Sequence, residues 1–183
     1  MGRKYNLHDH SKLYFVTFTV INWIDAFIRN ENRNIFYDSI AFCKKNKNLE
    51  VYAYCLMTSH VHMIIGTESG NLSGIVRDLK SYTSRQIRLG LEKSDLESRK
   101  TWMLWMFQRA GIKNERNKDF QFWMQHNHPI ELNTYEMTIQ RLNYIHQNPV
   151  EAGFVEKPED WLHSSAADYA ELREGKIELM FLL

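Results

Sequence analysis

The sequence has few of the features that mark membrane, secreted or disulfide-rich proteins. It has only two cysteines, Cys43 and Cys55, and both lie in apolar segments, so neither a disulfide framework nor a zinc knuckle is expected. No apolar run approaches the length of a membrane span, and the stretch Met1–His10 lacks the apolar centre of a signal peptide. We therefore expect a protein of the reducing cytoplasm, without a membrane partner, in which both cysteines are buried.

The chain also lacks an excess of charge of either sign. Its 23 lysines and arginines stand against 22 aspartates and glutamates, which gives a net charge of +1. Binding to nucleic-acid phosphates would therefore require a local basic surface. A Gly-x-x-x-x-Gly-Lys-Ser/Thr segment is absent too, so no ATP site is expected. The chain does have 183 residues, 44% of them hydrophobic, which is enough for one domain with a sizeable core.

Periodicity and composition divide the chain into strands and helices. The predicted strands are 13–21, 49–57, 60–66 and 120–130, and the predicted helices are 30–47, 71–93, 134–148 and 164–174. Asn133 is the expected N-cap of the third helix, Glu136 the capping-box partner, and Pro149 the residue that ends this helix. Residues 94–119 have no pattern that can be assigned.

The order strand, helix, strand, strand, helix, strand predicts an α+β protein with a ferredoxin-like fold. Right-handed crossovers place four antiparallel strands in one sheet, with both crossover helices on one face. The helix predicted over 134–148 is then free to cover the other face. We expect a single domain over residues 1–183, with a C-terminal extension from about residue 151.

A histidine pair at the start of the third strand is the most informative motif. Side chains alternate along a strand, so His60, His62 and Ile64 share one face while Val61 and Met63 share the other. Two imidazoles thus point the same way from a rigid element, which is half of a metal site. The alternative is a pair of ordinary core histidines, and the rest of the chain must decide between the two.

The helix predicted over 134–148 carries residues that would complete such a site. Tyr144 and Asn148 are four residues apart, on one helical face that Arg141 extends. Two imidazoles and one amide oxygen would hold a divalent cation and leave coordination positions for a phosphate oxygen. Taken alone, Tyr144 is more typical of a half-buried aromatic residue, and Asn148 of a helix end before proline.

Two segments of the chain resemble a known family. Thr58-Ser-His-Val-His-Met-Ile-Ile65 resembles the His-hydrophobic-His motif of the single-tyrosine HUH transposases, the IS200/IS605-like superfamily. Asn143-Tyr-Ile-His-Gln-Asn-Pro-Val-Glu-Ala-Gly-Phe-Val155, followed by Asp160-Trp161 and Ser164-Ser165, resembles the branch of REP-associated tyrosine transposases. The resemblance runs from the first strand to Ser165 and does not support residues 94–119.

The resemblance implies metal-dependent cleavage and rejoining of hairpin-bearing single-stranded DNA, which is the endonuclease and strand-transfer chemistry of DNA transposition and recombination. In this interpretation Tyr144 is the catalytic nucleophile, which forms a 5′-phosphotyrosine intermediate. His60, His62 and Asn148 would bind Mg²⁺ or Mn²⁺, although relatives often have glutamine at the position of Asn148. The same resemblance implies a bacterial, nucleoid-associated protein.

Other polar residues are candidates for DNA contact. The predicted DNA-contacting residues are Arg77, Lys80, Ser84, Arg88 and Arg141. The first four form a stripe on the helix predicted over 71–93, which is either a phosphate track or an ordinary solvated face. His126 and His128 form a second His-x-His, but the residue between them is the polar Asn127, so this pair lacks an apolar anchor.

Several alternatives stay open from the sequence. The chain could be a catalytically inactive module of the same fold that binds single-stranded or hairpin DNA, or an unrelated metalloprotein using His60 and His62. Replication initiators and relaxases also use paired histidines. Initiators tend to carry a lysine shortly after the tyrosine, which is absent after Tyr144, and relaxases tend to place the tyrosine before the histidines. A homodimer that exchanges the tyrosine helix and a monomer are both compatible with the sequence.

Overall fold

The computed structural model describes Leu7 and residues 12–68, 70–114 and 119–182. Most of the N-terminal stretch considered for a signal peptide, and residues 115–118, lie outside the described residues. The strands are β1 Tyr14–Thr19, β2 Leu49–Leu56, β3 His60–Thr67 and β4 Ile130–Glu131. The helices are α1 Asn30–Lys47, α2 Leu72–Lys93, α3 Lys100–Ile112, α4 Tyr135–Glu151 and α5 Ala166–Tyr169.

The four strands form one antiparallel sheet in the order β2-β3-β1-β4. β3 pairs with β2 on one side and with β1 on the other, and the register against β1 places Thr17 opposite His62 and Thr19 opposite His60. This order, with its two crossover helices, is the ferredoxin-like arrangement predicted from the sequence. The predicted fold class is therefore confirmed.

Alternation along the strands gives the sheet two apolar faces, and each face has its own core. On one face Val16, Phe18, Val61 and Met63 belong to a cluster that also contains the buried residues of α1 and α2. On the other face Phe15, Ala53, Cys55 and Ile64 pack with Leu142 and Ile145 of α4. Because His60 and His62 follow the same alternation as Ile64, they lie on the face that α4 covers. Both cysteines are free and buried, as predicted.

The prediction of a long fourth strand is wrong. Over residues 120–130, β4 contributes only its first residue, and a single bridge joins Trp123 to Val20. The intervening backbone follows β1 irregularly because the ammonium group of Lys80 binds the carbonyl oxygen of Met124, at 2.7 Å, and also contacts the side chain of Asn127. These contacts tie the segment to α2. Its remaining hydrogen bonds with β1, from the Met124 amide to Thr19 at 2.8 Å and from the Thr17 amide to Asn127 at 3.0 Å, are too irregular for a ladder.

The end of α4 also differs from the prediction, because the helix continues through Pro149 to Glu151. Proline lacks only one backbone donor, and this loss falls in the last turns of the helix. The helix is instead terminated by Gly153, two residues after its last residue, which has a left-handed φ of 74°. The amide of Phe154 donates to the carbonyl of Pro149 at 2.9 Å and that of Gly153 to Val150 at 2.9 Å, which is a Schellman motif. Asn148 is therefore a helical residue with a fixed direction.

The C-terminal segment closes the free edge of β2. The amide of Leu56 donates to the carbonyl of His163 at 2.8 Å, and the Ser165 amide donates to the carbonyl of Tyr54 at 2.9 Å. This pairing leaves only α5 of the helix predicted over 164–174, and the left-handed φ of 54° at Glu171 prevents its continuation. Ser165, part of the motif that resembles the transposases, thus protects a sheet edge.

The start of α4 lies one residue later than predicted. Thr134, not Asn133, is the N-cap, and its hydroxyl accepts a hydrogen bond from the amide of Met137 at 3.2 Å. We expect Thr134→Ala to lower the free energy of unfolding by about 1 kcal/mol, because the amide loses its acceptor. Urea denaturation would measure the loss. Asn133→Ala is the matched control and should change stability little; a larger loss from Asn133→Ala would contradict the cap assignment.

None of the helices in the described part of the chain is both long and apolar enough to span a bilayer.

Candidate functional site

The histidine pair lies where β3 meets α4. His60 is half-buried and His62 is buried, with their ring centroids 4.8 Å apart. Both side chains project from the same face of β3, as the alternation predicted. The central position of β3 between two paired strands holds the backbone of both histidines rigidly.

Neighbouring hydroxyl groups orient the two imidazole rings. The Thr17 hydroxyl oxygen lies 2.9 Å from Nδ1 of His62, and the Ser59 hydroxyl oxygen lies 3.2 Å from Nδ1 of His60. Each Nδ1 therefore has a hydrogen-bond partner, and Nε2 is the nitrogen left to act as a ligand. Outer hydrogen bonds of this kind fix the tautomer and the direction of metal-binding histidines.

Burial keeps both imidazoles neutral. It lowers the pKa of His62 to about 3, and the neighbouring His60 acts in the same direction. Burial also lowers the pKa of His60, while the hydrogen bond to Asn148 and the charge of Asp25 oppose this effect. A neutral imidazole is the form that binds a metal ion.

Asn148 reaches the pair from α4. Its Oδ1 lies 3.2 Å from Nε2 of His60. Adjacent ligands of an octahedral ion with bonds of about 2.1 Å are about 3.0 Å apart, so this spacing fits two ligands of one cation. No group of three or more His, Cys, Asp or Glu side chains in the described residues could hold a metal. Beside the two imidazoles, the amide oxygen of Asn148 is thus in a position to act as a third ligand.

Tyr144 lies beside the other histidine. Its ring centroid is 5.1 Å from that of His62, and the residue is 38% exposed. Phe15 supports both rings: it stacks on His62 at 5.5 Å and meets Tyr144 edge-on at 5.8 Å. The guanidinium of Arg141 lies over the same phenyl ring at 5.2 Å. The tyrosine, the guanidinium of Arg141 and the histidine pair thus lie close together between the sheet and α4, and the space that they border is called the cleft below.

Comparisons with known proteins bear on this arrangement. The model of the family described as "Transposase IS200 like" matches residues 11–110, more than half of the chain, and this range includes both histidines. The chain belongs to the IS200-like transposase family. Membership implies a DNA-processing enzyme. Tyr144 and Asn148 lie beyond the matched range, so their place in the site rests on the geometry above.

One solved structure agrees with this fold. The structure of a REP-associated tyrosine transposase bound to a REP hairpin aligns with a TM-score of 0.66 at 16% identity, over 97% of this chain and 92% of the other. A transposase candidate from Deinococcus radiodurans R1 aligns with a TM-score of 0.42 at 15% identity, over 81% of this chain and 95% of the other. The search of curated proteins gave no match.

The residues predicted to contact DNA divide between the two faces of this transposase fold. Arg141 lies at the cleft, whereas the stripe on α2 lies on the opposite face of the sheet. Its cations have protein partners: Arg77 pairs with Asp78 at 3.1 Å, Lys80 binds the carbonyl oxygen of Met124 at 2.7 Å, and Arg88 pairs with Glu92 at 2.9 Å. Burial lowers the pKa of Lys80 to about 8. Ser84 lines a groove on that face with Lys80 and Arg88.

His126, His128 and His146 lie outside the cleft. His126 and His128 line a groove of about 390 Å³ beside α2, with ring centroids 6.1 Å apart. The side chain of His146 contacts the C-terminal segment instead of the histidine pair, and its Nε2 lies 2.9 Å from the hydroxyl of Ser165. Burial lowers the pKa of His146 to about 4. This contact joins α4 to the C-terminal segment that closes β2.

The sequence interpretation missed three groups that shape the cleft. Thr17 orients His62, Phe15 supports both His62 and Tyr144, and Trp23 contacts the ring of His60 at 5.2 Å. Phe15 and Thr17 are two residues apart on β1 and therefore share one face of the sheet. Knowledge of the register between β1 and β3 would have placed them on the histidine face, with Thr17 opposite His62. Nothing in the local pattern around Trp23 indicates its position.

Thr17 gives a test of the metal site that does not depend on activity. We expect Thr17→Val to weaken Mn²⁺ binding by about 10- to 100-fold, because valine keeps the shape of threonine but leaves Nδ1 of His62 without its partner. Calorimetric titration of the full chain with MnCl₂ measures the change. Thr19→Val, at the neighbouring position of the same face, is the matched control. Equal losses from both variants would show that the hydroxyl of Thr17 has no special role.

Proposed function

We propose that this protein is a metal-dependent single-stranded DNA endonuclease and strand transferase that acts on hairpin-bearing DNA through a 5′-phosphotyrosine. His60, His62 and Asn148 would bind Mg²⁺ or Mn²⁺, and Tyr144 would be the nucleophile. The observation that carries the proposal is the contact between Tyr144 and His62, with ring centroids 5.1 Å apart within one chain. The residue is also 38% exposed, which supports a role that requires access for a substrate.

The residues of the cleft have complementary tasks in this reaction. A bound divalent cation would withdraw charge from the phosphate oxygens and stabilise the crowded transition state. Arg141 adds a fixed positive charge near the phosphate, and its contact with Phe15 limits its movement. Phe15 holds the ring of Tyr144 against the histidines and excludes water from one side of it.

The covalent step conserves the energy of the phosphodiester. The phenolic oxygen of Tyr144 bonds to phosphorus while the bond from phosphorus to the 3′ oxygen of the preceding nucleotide breaks. The phenolic proton passes to solvent, and the departing 3′ oxygen takes up a proton. Attack by a 3′-hydroxyl on the phosphotyrosine reverses these changes and rejoins a strand, so the cycle needs neither ATP nor a redox partner.

Hairpin DNA is the substrate that we propose from two lines of support. The solved structure that aligns over 97% of this chain is that of a REP-associated tyrosine transposase bound to a REP hairpin. The sequence motifs around His60 and Tyr144 resemble the same branch. We further propose that the chain acts as one domain, in which the C-terminal extension closes β2, and that Tyr144 acts in cis. The phosphate track on α2 stays a prediction.

Covalent trapping tests the proposal. The full chain is incubated with MgCl₂ or MnCl₂ and a pool of labelled hairpins with randomised single-stranded flanks. We expect a protein–DNA adduct that survives denaturant, and mass spectrometry of its peptides should place the 5′-phosphate on Tyr144. EDTA and an unstructured pool of equal composition are the controls. Hairpin binding without any adduct would instead support the inactive binding module.

A further inference from the structure

An exposed tryptophan lies at the edge of the cleft. Trp23 is 58% exposed, although the residues after it, Ile24, Ala26 and Phe27, are buried. Its ring centroid is 5.2 Å from that of His60, with an interplanar angle of 71°. An exposed indole beside a site for single-stranded DNA offers a flat apolar surface of the kind on which nucleobases stack.

The backbone after β1 holds this side chain outward. Asn22 and Trp23 both have left-handed φ values, 53° and 56°. Hydrogen bonds fix this turn: the amide of Trp23 donates to the carbonyl of Val20 at 3.0 Å, and that of Ile24 to Ile21 at 3.3 Å. The indole is therefore presented by a defined turn between buried residues, so stacking on it would cost little additional ordering of the protein.

Trp23 and Tyr144 contact different members of the histidine pair. The indole meets His60, and the phenol ring meets His62 at 5.1 Å, while the two imidazoles are 4.8 Å apart. In a displacement at phosphorus, the attacking and leaving oxygens lie on opposite sides of the phosphorus atom. A phosphate held at the histidines and attacked from the Tyr144 side would therefore release its 3′ oxygen toward the Trp23 side.

We propose that Trp23 is a positioning residue that stacks on the base of the nucleotide immediately 5′ of the cleaved phosphodiester. This inference rests on the proposed function and adds a base contact to it. Stacking there would hold the departing 3′-hydroxyl in place, which also favours the reverse reaction. The indole would tolerate any base, because each base has an aromatic face.

Paired changes in protein and DNA test the stacking partner. The substrate is the hairpin recovered from the trapped adduct, either intact or with an abasic residue directly 5′ of the cleaved bond. We expect Trp23→Ala to reduce single-turnover cleavage of the intact strand at subsaturating DNA by about 5- to 150-fold. On the abasic strand, Trp23→Ala and wild type should cleave at the same rate, because the base that stacks on the indole is already missing. Trp23→Phe should retain most of the cleavage rate on the intact strand. Trp102→Ala, which removes another exposed tryptophan, should leave the cleavage rate of both substrates unchanged.

Two outcomes would overturn the inference. If Trp23→Ala slowed cleavage of the intact and the abasic strand equally, Trp23 would have a structural role. If the variant cleaved both strands at the wild-type rate, Trp23 would have no role in cleavage. Indole fluorescence distinguishes failure of the Trp23 inference from failure of the proposed function. Oligothymidylate with MgCl₂ should quench the emission of wild type and Trp102→Phe, but should quench Trp23→Phe much less. If wild type forms no Tyr144 adduct, the proposed function fails and this quenching still decides whether Trp23 binds a base.

Discussion

Tyr144→Phe is expected to abolish the covalent adduct and to lower strand cleavage by at least about 1,000-fold, because it removes the nucleophile. The variant keeps the aromatic ring and therefore its contacts with Phe15 and His62. Since a substitution at an exposed hydroxyl changes stability little, the thermal midpoint should stay close to that of wild type. Denaturing electrophoresis of the trapped reaction measures the adduct, and single-turnover cleavage of the selected hairpin measures the rate.

A matched control is available on the same helix. Tyr135 is 64% exposed and lies at the start of α4, where Tyr135→Phe should leave adduct yield unchanged. Hairpin binding by Tyr144→Phe should stay within about threefold of wild type, because the removed hydroxyl contributes mainly to the transition state. An adduct formed by Tyr144→Phe at the wild-type level would assign the nucleophile to another residue. Loss of binding together with cleavage would make Tyr144 a DNA contact.

The sheet and the histidine face could be predicted from sequence because alternation is a local property. β3 is bounded by a short turn, and its apolar residues fix which way His60 and His62 point. The bounds of α1 were predicted correctly for the same kind of reason, since its polar and apolar residues follow helical spacing. In both cases a few neighbouring residues determine the structure.

The errors arose where distant residues or turn geometry decide. Lys80 on α2 binds the irregular segment after Trp123, and no pattern within that segment indicates this contact. The expectation that Pro149 ends α4 overlooked Gly153, whose left-handed backbone terminates the helix after Glu151. α3 could not be assigned because Trp102 and Trp105 are about half exposed, which obscures its buried stripe.

The residues of the candidate site also divide into those that local spacing predicts and those that depend on tertiary contacts. The spacing of Tyr144 and Asn148 placed them on one face of a helix, and the structure brings that face to the histidines. Thr17 could not be recognised in this way, because its contact with His62 depends on the register between β1 and β3. Groups that orient a ligand come from other elements of the fold, so their identification requires the tertiary structure.

Removal of one imidazole should eliminate the metal-dependent stabilisation of the fold. A ligand that binds only the folded state stabilises it by about 2.7 kcal/mol when its concentration is 100 times its Kd. MnCl₂ should therefore raise the thermal midpoint of wild type, and His60→Ala should lose this increase, since the site then keeps only His62 and Asn148. His60 is the better position to change, because it is half-buried, whereas His62 is buried beneath Tyr144 and Phe15.

The second histidine pair is the matched control for this experiment. His126 and His128 have the same spacing, but the structure places them beside α2, away from the cleft. The double variant His126→Ala/His128→Ala should therefore keep the full Mn²⁺-dependent increase. If that variant lost the increase while His60→Ala kept it, the metal would bind at the second pair. If both variants kept it, neither pair would be the site. The Mn²⁺ response thus decides which pair binds metal without any need for a cleavable DNA.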